Sequence, residues 1–264
     1  MARALADAGI AATYSYAGRV ANPRTQPIPS RVGGFGGVDG LRRYLHEHNI
    51  THVIDATHPF AAQMSRNAVA ACAGAGVALA AMVRPAWQPG PGDDWRLVAD
   101  IDGAVVVLEG ARRRVFLALG RLNLPAFAAA PQHHYVLRLV DVPADDLPLP
   151  DCTVIVDRGP FDVAGDLAVL RDHGVDLVVC QNSGGAGARA KLDAARELGV
   201  PVVMINRPEV PDRIELAVLV DRGHRELPIQ ANYVGEHIET IHDTMVNVYL
   251  KEKAGRDEVA ISAQ

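Results

Sequence analysis

The sequence predicts an α/β protein of two lobes, each built around a mainly parallel β-sheet, followed by a C-terminal tail. Short Val/Ile/Leu-rich runs alternate with longer Ala-rich runs along most of the chain. The short runs are continuously apolar, which is typical of strands buried on both faces of a parallel sheet between helices. Residues 85–94 hold three Pro and two Gly, which interrupt helices and sheets and predict a crossing between lobes.

The predicted elements follow this alternation, with glycines as helix stop signals at Gly76, Gly174 and Gly199. The first lobe spans 1–90 and is the predicted cofactor-binding lobe, the second α/β lobe spans 91–210 and is the predicted substrate lobe, and a C-terminal extension spans 211–264. We expect the extension to be partly helical or disordered, and we assign no element to it. Strands are predicted at 11–16, 51–56, 77–84, 115–119, 135–140, 153–157, 175–180 and 202–205, and helices at 41–49, 61–75, 124–130, 162–173 and 188–198.

Composition excludes several classes of function. The formal net charge is −5, so no basic excess points to a nucleic-acid partner. No run approaches 18 apolar residues without a charge, which argues against a membrane span. The three cysteines are widely separated and show neither disulfide nor zinc spacing, and the first residues are too polar for a signal peptide. We therefore expect a cytoplasmic protein without a metal site.

Ligands of parallel α/β sheets bind at the carboxyl ends of the strands, so the residues after each strand are informative. Residues 15–19 (SYAGR) follow the first strand, where Gly18 permits a turn and the Arg19 guanidinium suits a phosphate. Residues 31–37 (RVGGFGG) contain four glycines that would let backbone amides approach an anion or a flat ring. The alternatives are a surface turn for the first segment and, since no convincing strand precedes it, a flexible connector for the second.

Residues 55–60 (DATHPF) follow the second predicted strand of the first lobe and are rich in polar groups. His58 has the chemistry to donate a proton or to orient a substrate. A histidine before a proline is equally often a capping or packing residue.

In the second lobe, residues 182–185 (NSGG) lie between a buried strand and a helix. Backbone amides at a helix N-terminus favour an anionic group, although an Asn/Ser-capped turn explains the same sequence. Lys191, on the following helix, is the only lysine among the first 250 residues. Arg121, Arg158 and Arg207 also follow strands and, with Arg19, would give a cationic rim, which chance also produces in an Arg-rich chain.

Together these segments resemble the precorrin-6A reductase family of cobalamin biosynthesis. The resemblance rests on the joint order and spacing of short motifs over residues 2–208. The matching segments are 15–19, 31–37, 55–61 with Met64-Ser65 and Asn67-Ala68, Gly120-Arg121, 158–161 (RGPF), 182–185 with Lys191, and Arg207-Pro208.

The resemblance implies two Rossmann-like lobes, NADPH on the first, and an anionic tetrapyrrole-derived macrocycle between them. The implied reaction is hydride transfer to a ring double bond of precorrin-6A, giving precorrin-6B, with a proton added at the neighbouring carbon. Neighbouring enzymes of the pathway are implied as partners. The implied cofactor-binding residues are Ser15, Gly18, Arg19, Ala56 and Thr57, and Arg19 would contact the adenosine 2′-phosphate. Those for substrate are Arg31, Gly33, Gly34, Arg121, Arg158, Asn182, Ser183, Gly184, Gly185, Lys191 and Arg207.

The proton donor stays open, with His58, Asp55 and solvent as candidates. The family begins with a hydrophobic strand and a Gly/Thr-rich phosphate loop, whereas this sequence begins inside the helix that follows. That difference predicts an unpaired gap in the first sheet and weaker cofactor binding. Gln181 also stands where the family usually has Lys.

Two alternatives follow from the same segments. One is the cobalt-precorrin-6A reductase of the anaerobic pathway, which is often linked to NADH. The other is a non-catalytic tetrapyrrole-binding remnant that has lost the cofactor phosphate loop.

Overall fold

A computed structural model describes residues 1–18, 23–143, 145–159, 161–217 and 246–251. The chain forms two compact units. The first comprises Met1–Pro85 and Glu209–Gln264, and the second comprises Ala86–Pro208.

The first unit contains three helices and six strands among the described residues. Helix α3 ends where Gly76 adopts a left-handed conformation, as the glycine signal predicts. The helices are α1 (Ala2–Asp7), α2 (Gly37–Glu47) and α3 (Ala62–Ala75), and the strands are β1 (Ala12–Tyr16), β2 (Ser30–Val32), β3 (Ile50–Asp55), β4 (Ala78–Val83), β11 (Ile214–Ala217) and β12 (Val246–Lys251).

The sheet of the first unit has the order β11-β4-β3-β12-β1-β2. All its pairs are parallel except those of β12, which is antiparallel to both β1 and β3. The expected gap in this sheet is therefore wrong, because a strand from the C-terminal extension lies between β3 and β1. The run Val246-Asn-Val-Tyr-Leu-Lys251 has the β-branched and aromatic content that favours a strand, although we assigned it none.

The second unit carries a six-stranded sheet in the order β5-β10-β9-β6-β7-β8, parallel throughout. This confirms the predicted fold class. Its elements are β5 (Trp95–Val98), α4 (Ile101–Val107), β6 (Arg114–Ala118), a 3-10 helix (Arg121–Ala129), β7 (His134–Leu139), β8 (Cys152–Val156), α5 (Val163–Asp172), β9 (Leu177–Gln181), α6 (Ala190–Leu198) and β10 (Val202–Ile205).

The apolar runs are buried where the pattern predicts. The central strand β9 is buried from Leu177 to Cys180, and every residue of β10 is buried. These two strands pack with Phe116, Leu170 and Leu192 into the core of the second unit. Continuous apolar sequence therefore does correspond to strands covered on both faces.

The chain direction within each sheet places the candidate site. In the second unit β6 and β9 are neighbours, and the chain continues from β6 to β7 on one side and from β9 to β10 on the other. Loops that leave adjacent strands in opposite directions open a crevice at the carboxyl ends of those strands. In the first unit the corresponding divergence is between β1 and β3, on either side of β12. Among the described helices, none is both long and apolar enough to cross a membrane.

Candidate active site

Asp55 ends β3 and is the centre of a buried polar network in the first unit. Its side chain is fully buried, and its Oδ1 accepts a hydrogen bond from the backbone N–H of Thr57 at 3.0 Å. Its Oδ2 accepts one from Ser65 Oγ at 2.6 Å and is also paired with the Arg213 guanidinium. All three partners donate to the Asp55 carboxylate, so both of its oxygens are engaged within the protein. This geometry favours a structural role for Asp55 over the role of proton donor.

The turn after Asp55 carries the other polar groups predicted there. The Thr57 and Ser65 hydroxyls lie 3.1 Å apart. His58 Nδ1 accepts a hydrogen bond from the Phe60 backbone N–H at 3.3 Å, and both Thr57 and His58 are partly exposed. His58 therefore keeps an accessible imidazole on a turn whose backbone is fixed by Asp55.

In the same unit, the surroundings of Cys72 raise the pKa of its thiol. Burial, reinforced by the negative charge of Asp55, raises the pKa of the Cys72 thiol to about 12. Cys72 is therefore a protonated core residue of α3 rather than a nucleophile.

At the carboxyl end of β1, Arg31 donates its hydrogen bonds to other groups of the protein. Its Nη1 donates to Ser15 Oγ at 2.7 Å and to the Gly33 carbonyl at 2.8 Å, and its Nη2 donates to the Gly34 carbonyl at 3.2 Å. The guanidinium also lies 3.9 Å from the Phe35 ring centroid. Arg31 thus holds the 31–37 loop against β1, and the predicted cofactor residue Ser15 is buried beneath it.

The glycine run after Arg31 leaves open backbone at this edge of the sheet. A three-residue strand, β2, leads directly into it, so the expectation of a connector without a preceding strand is wrong. Gly33, Gly36 and Gly37 have positive φ, and a Cβ added at Gly34, Gly36 or Gly37 would meet no heavy atom within 4 Å. Gly18 also has positive φ, and Arg19 lies outside the described residues.

In the second unit, Asn182 joins the loop after β9 to the segment around Trp87. Its Oδ1 accepts from the Trp87 backbone N–H at 2.8 Å, and its Nδ2 donates to the Trp87 carbonyl at 3.0 Å. The indole N–H of Trp87 donates to the Gly185 carbonyl at 2.7 Å, and Trp87 itself is buried. We call these three hydrogen bonds the Trp87 clasp.

Arg207 and Lys191 support the same loop. Arg207 donates from Nε to the Asn182 carbonyl at 2.9 Å and from Nη2 to the Ser183 carbonyl at 3.2 Å. The buried Lys191 ammonium donates to the Ala188 carbonyl and lies 5.0 Å from the Trp87 ring centroid. Both cations therefore hold the loop and the indole, which sequence reasoning did not foresee.

One expectation for this region needs correction, and two of the predicted arginines have surface partners. Helix α6 begins at Ala190, so residues 186–189 separate the 182–185 loop from the helix N-terminus. The backbone amides of residues 182–185 are therefore not the first amides of the helix. The helix also begins two residues later than the predicted start at 188. Arg121 and Arg158 are exposed and form surface ion pairs with Asp145 (3.3 Å) and Asp141 (3.0 Å), respectively.

An open pocket of about 270 Å³ lies at the carboxyl edge of the second sheet, beside the clasp. It combines the Arg207 cation with polar amides and an apolar floor. Its lining is Ala86, Trp87, Gln88, Pro89, Leu97, Asn182, Asn206 and Arg207. A carboxylate on a short alkyl arm matches this mixture of groups.

The chain as a whole matches a known family of proteins. The model of the family described as precorrin-6x reductase CbiJ/CobK matches residues 1–222. The chain belongs to the precorrin-6x reductase family. It is 57% identical over 219 residues to the precorrin-6A reductase of Rhodobacter capsulatus, covering 83% of this chain and 87% of that protein.

A solved structure supports the same assignment. The chain resembles CobK precorrin-6A reductase with a TM-score of 0.79 and 57% identity, covering 81% of this chain and 86% of that one. The cobalt-precorrin-6A reductase of Priestia megaterium is more distant, at 30% identity over 182 residues, which is 65% of this chain and 71% of that protein. The precorrin-6x reductase resemblance read from the sequence is therefore confirmed.

Each unit also has residues near its candidate groups that the motifs did not mark. Trp87 lies in the Pro/Gly-rich crossing, and Arg213 lies beyond the last matching motif. A third, Arg138 on β7, forms a buried ion pair with Asp166 on α5 and lies 4.1 Å from the ring of Phe161 in the 158–161 motif. Arg207 does lie beside residues 182–185, to which it donates two hydrogen bonds, whereas no sequence signal indicates the contact of that loop with Trp87.

Proposed function

We propose that this chain reduces precorrin-6A to precorrin-6B with NADPH as the hydride source. The observation that carries the proposal is the 57% identity to a precorrin-6A reductase over 87% of that protein's length. The lower identity to the cobalt-precorrin-6A enzyme supports a metal-free substrate over the cobalt-bearing alternative. The same matches support an enzyme over a non-catalytic macrocycle-binding remnant.

The first unit fits a nicotinamide nucleotide at the carboxyl ends of β1 and β3. Gly18 turns the backbone with positive φ, and a Cβ there would lie 3.4 Å from Val32, so only glycine permits this turn without strain. Ala56 and Thr57 follow β3 on a turn fixed by Asp55. We assign Gly18, Arg19, Ala56 and Thr57 to the cofactor, and Ser15, which is buried and accepts a hydrogen bond from Arg31, to the support of the neighbouring loop. When bound, the reduced nicotinamide supplies the hydride.

The second unit offers groups suited to the carboxylates of the macrocycle. Arg121 and Arg158 are exposed cations whose surface partners are weakly held in water. Asn182, Ser183, Gly184 and Gly185 present a fixed loop, with Lys191 and Arg207 behind it. In the first unit, Arg31 holds Gly33 and Gly34 as an open backbone surface for a flat ring. His58, on its partly exposed turn, is our candidate to hold the proton for the neighbouring carbon, with solvent as the alternative source.

The decisive experiment is turnover by the purified chain. Incubation with precorrin-6A and NADPH should oxidise the cofactor and give a product heavier by two hydrogens, detected by absorbance and mass spectrometry. Cofactor binding alone is measured by fluorescence titration. A chain that binds neither NADPH nor NADH at millimolar concentration would refute the proposed activity.

Replacing Arg19 tests the choice of cofactor. Loss of a charge-assisted hydrogen bond to a phosphate costs about 1.5–3 kcal/mol, so Arg19→Ala should lower the kcat/KM preference for NADPH over NADH by about tenfold or more. Arg42→Ala is the control, because Arg42 is an exposed residue of α2 that pairs with Asp39 on the same helix. An unchanged NADPH preference in Arg19→Ala would remove Arg19 from the cofactor site.

A further inference from the structure

Arg213 is the charged partner of Asp55, and it comes from a distant part of the chain. The two residues are 158 positions apart, and the Arg213 side chain is only 10% exposed while that of Asp55 is fully buried. Residues 209–217 return to the first unit after the second one is complete. The carboxylate at the end of β3 thus receives its cation from this returning segment.

The sheet register explains how this contact forms. Asp55 on β3 is level with Ala81 on β4, and Ala81 is level with Glu215 on β11. Residues level with one another in a parallel sheet lie on the same face, and Arg213 precedes Glu215 by two, so it shares that face. Ala81 is fully buried and small, which leaves room for the Arg213 side chain to pass over β4. Arg213 Nε also lies 3.6 Å from Glu215 Oε1.

Arg213 completes the anchoring of the turn after β3. Asp55 fixes the Thr57 backbone and the Ser65 hydroxyl, and Ser65 in turn contacts Thr57 Oγ1. Without the guanidinium, Asp55 would be a buried carboxylate with hydrogen bonds from neutral groups only. A buried charge that has lost its partner is destabilising, and rearrangement around it would alter its hydrogen bonds to the turn.

We propose that Arg213 is a positioning residue for the nicotinamide nucleotide, acting through Asp55 on the turn that carries Ala56 and Thr57. This inference rests on the proposed assignment of that turn to the cofactor. Arg213 lies outside all the short motifs that carry the family resemblance, and its role follows from the ion pair alone. It is distinct from Arg19, which we assign to direct contact with the cofactor phosphate.

The test is NADPH affinity measured without substrate, by fluorescence titration of the full chain. Arg213→Met should raise the Kd for NADPH about 10- to 100-fold, as expected for a small displacement of a binding turn. Arg213→Lys keeps the positive charge, and its Kd for NADPH should be closer to that of the wild type than to that of Arg213→Met. Because Arg213→Met leaves a buried charge, the double variant Asp55→Asn/Arg213→Met, which removes both charges, should fold and should also bind NADPH weakly.

Arg66→Met is the matched control. Arg66 donates to the Glu209 carbonyl at 2.8 Å, so it tethers the same returning segment without contacting Asp55. Its Kd for NADPH should equal that of the wild type. A lowered melting temperature with unchanged Kd in the Arg213 variants would show a purely structural ion pair and overturn the inference, while the proposed function would stand. A wild-type chain that binds no nicotinamide nucleotide would overturn both.

Discussion

Arg138→Met should lower the stability of the second unit more than any other single substitution considered for this protein. Arg138 and Asp166 form an ion pair whose side chains are only 8% and 4% exposed. Removing one partner of a buried pair leaves the other charge unpaired, which costs about 3–5 kcal/mol. The loss should be measured as a lower midpoint and free energy of unfolding in urea, followed by circular dichroism.

This loss should depend on pH in a defined direction. Burial raises the pKa of the Asp166 carboxyl above its ordinary value, although Arg138 and Lys191 act in the opposite sense. A carboxyl whose pKa is raised in the folded state contributes stability at pH below its unfolded pKa, and this contribution is lost as the pH rises through the folded pKa. Removing Arg138 raises that pKa further. The difference between variant and wild type should therefore shrink in acid, where Asp166 is neutral, and be largest at neutral pH.

Two variants separate the charge from the packing. Asp166→Asn/Arg138→Met removes both charges and should recover part of the stability lost in Arg138→Met. Arg171→Met, also on α5, removes only an exposed partner of Glu197 and should change the unfolding midpoint little. Equal, pH-independent destabilisation of the single and double variants would show that Arg138 acts by packing on Phe116 and Phe161 alone.

The consequence for the reductase lies in the 158–161 motif. Phe161 contacts the Arg138 guanidinium, so the ion pair fixes one end of the segment that carries Arg158. We therefore expect Arg138→Met to raise the KM for precorrin-6A in the folded fraction, while the affinity for NADPH, whose site we propose in the first unit, stays unchanged.

Much of the fold could be predicted because local sequence patterns indicate which residues are buried and where helices end. Residues 177–180 are apolar because both faces of β9 are covered, and α3 ends at Gly76 because the chain needs a left-handed residue there. Helix α4 was missed because its Val105-Val106-Val107 run has strand propensity. The Asp100 side chain, which accepts a hydrogen bond from the Gly103 backbone N–H at 2.8 Å, caps the helix instead.

The candidate site was only half predictable, since motifs identify loops but not their partners. Asn182 was marked as a ligand contact, yet its amide is occupied by Trp87, 95 positions away. Asp55 is one of three candidate proton sources by its position in the sequence, and its pairing with Arg213 across 158 positions could not be foreseen from that position. Neither partner carries a periodic or spacing signal. Contacts between segments so far apart follow from strand order, which a single sequence does not encode in any local pattern.

Asn182→Leu should have the largest effect on the substrate site. The substitution removes both hydrogen bonds between the Asn182 side chain and the Trp87 backbone, and leaves that buried N–H and carbonyl without these partners. Each buried group left unpaired costs about 1–3 kcal/mol, so we expect a loss of about 2–5 kcal/mol in the free energy of unfolding. Gln132→Ala is the control, because Gln132 is a partly exposed amide of the same unit whose side chain donates to the Leu108 carbonyl at 3.1 Å, outside the clasp, and its loss should cost less than that of Asn182.

The clasp has its own optical reporter. Trp87 and Trp95 are the two tryptophans of the chain, so Trp95→Phe leaves the emission of Trp87 alone. In that background, Asn182→Leu should shift the emission to longer wavelength, because the indole loses its burial and its bond to the Gly185 carbonyl. Asn182→Asp keeps an acceptor for the backbone N–H of Trp87 but loses the donor to the backbone carbonyl of Trp87. The emission shift of this variant should therefore be intermediate.

The effect on substrate binding shows whether the clasp positions the 182–185 loop or only stabilises the fold. Arg207 holds the same loop by its carbonyls, so losing the clasp should displace Ser183 and Gly184 relative to that cation. We expect the KM for precorrin-6A to rise about tenfold or more, while the Kd for NADPH stays at the wild-type value. If KM were unchanged although the emission had shifted, the loop would tolerate loss of the clasp and the substrate contacts would have to lie elsewhere in the second unit. We expect the KM to change, because Asn182, Trp87 and Arg207 line the pocket and also hold the loop.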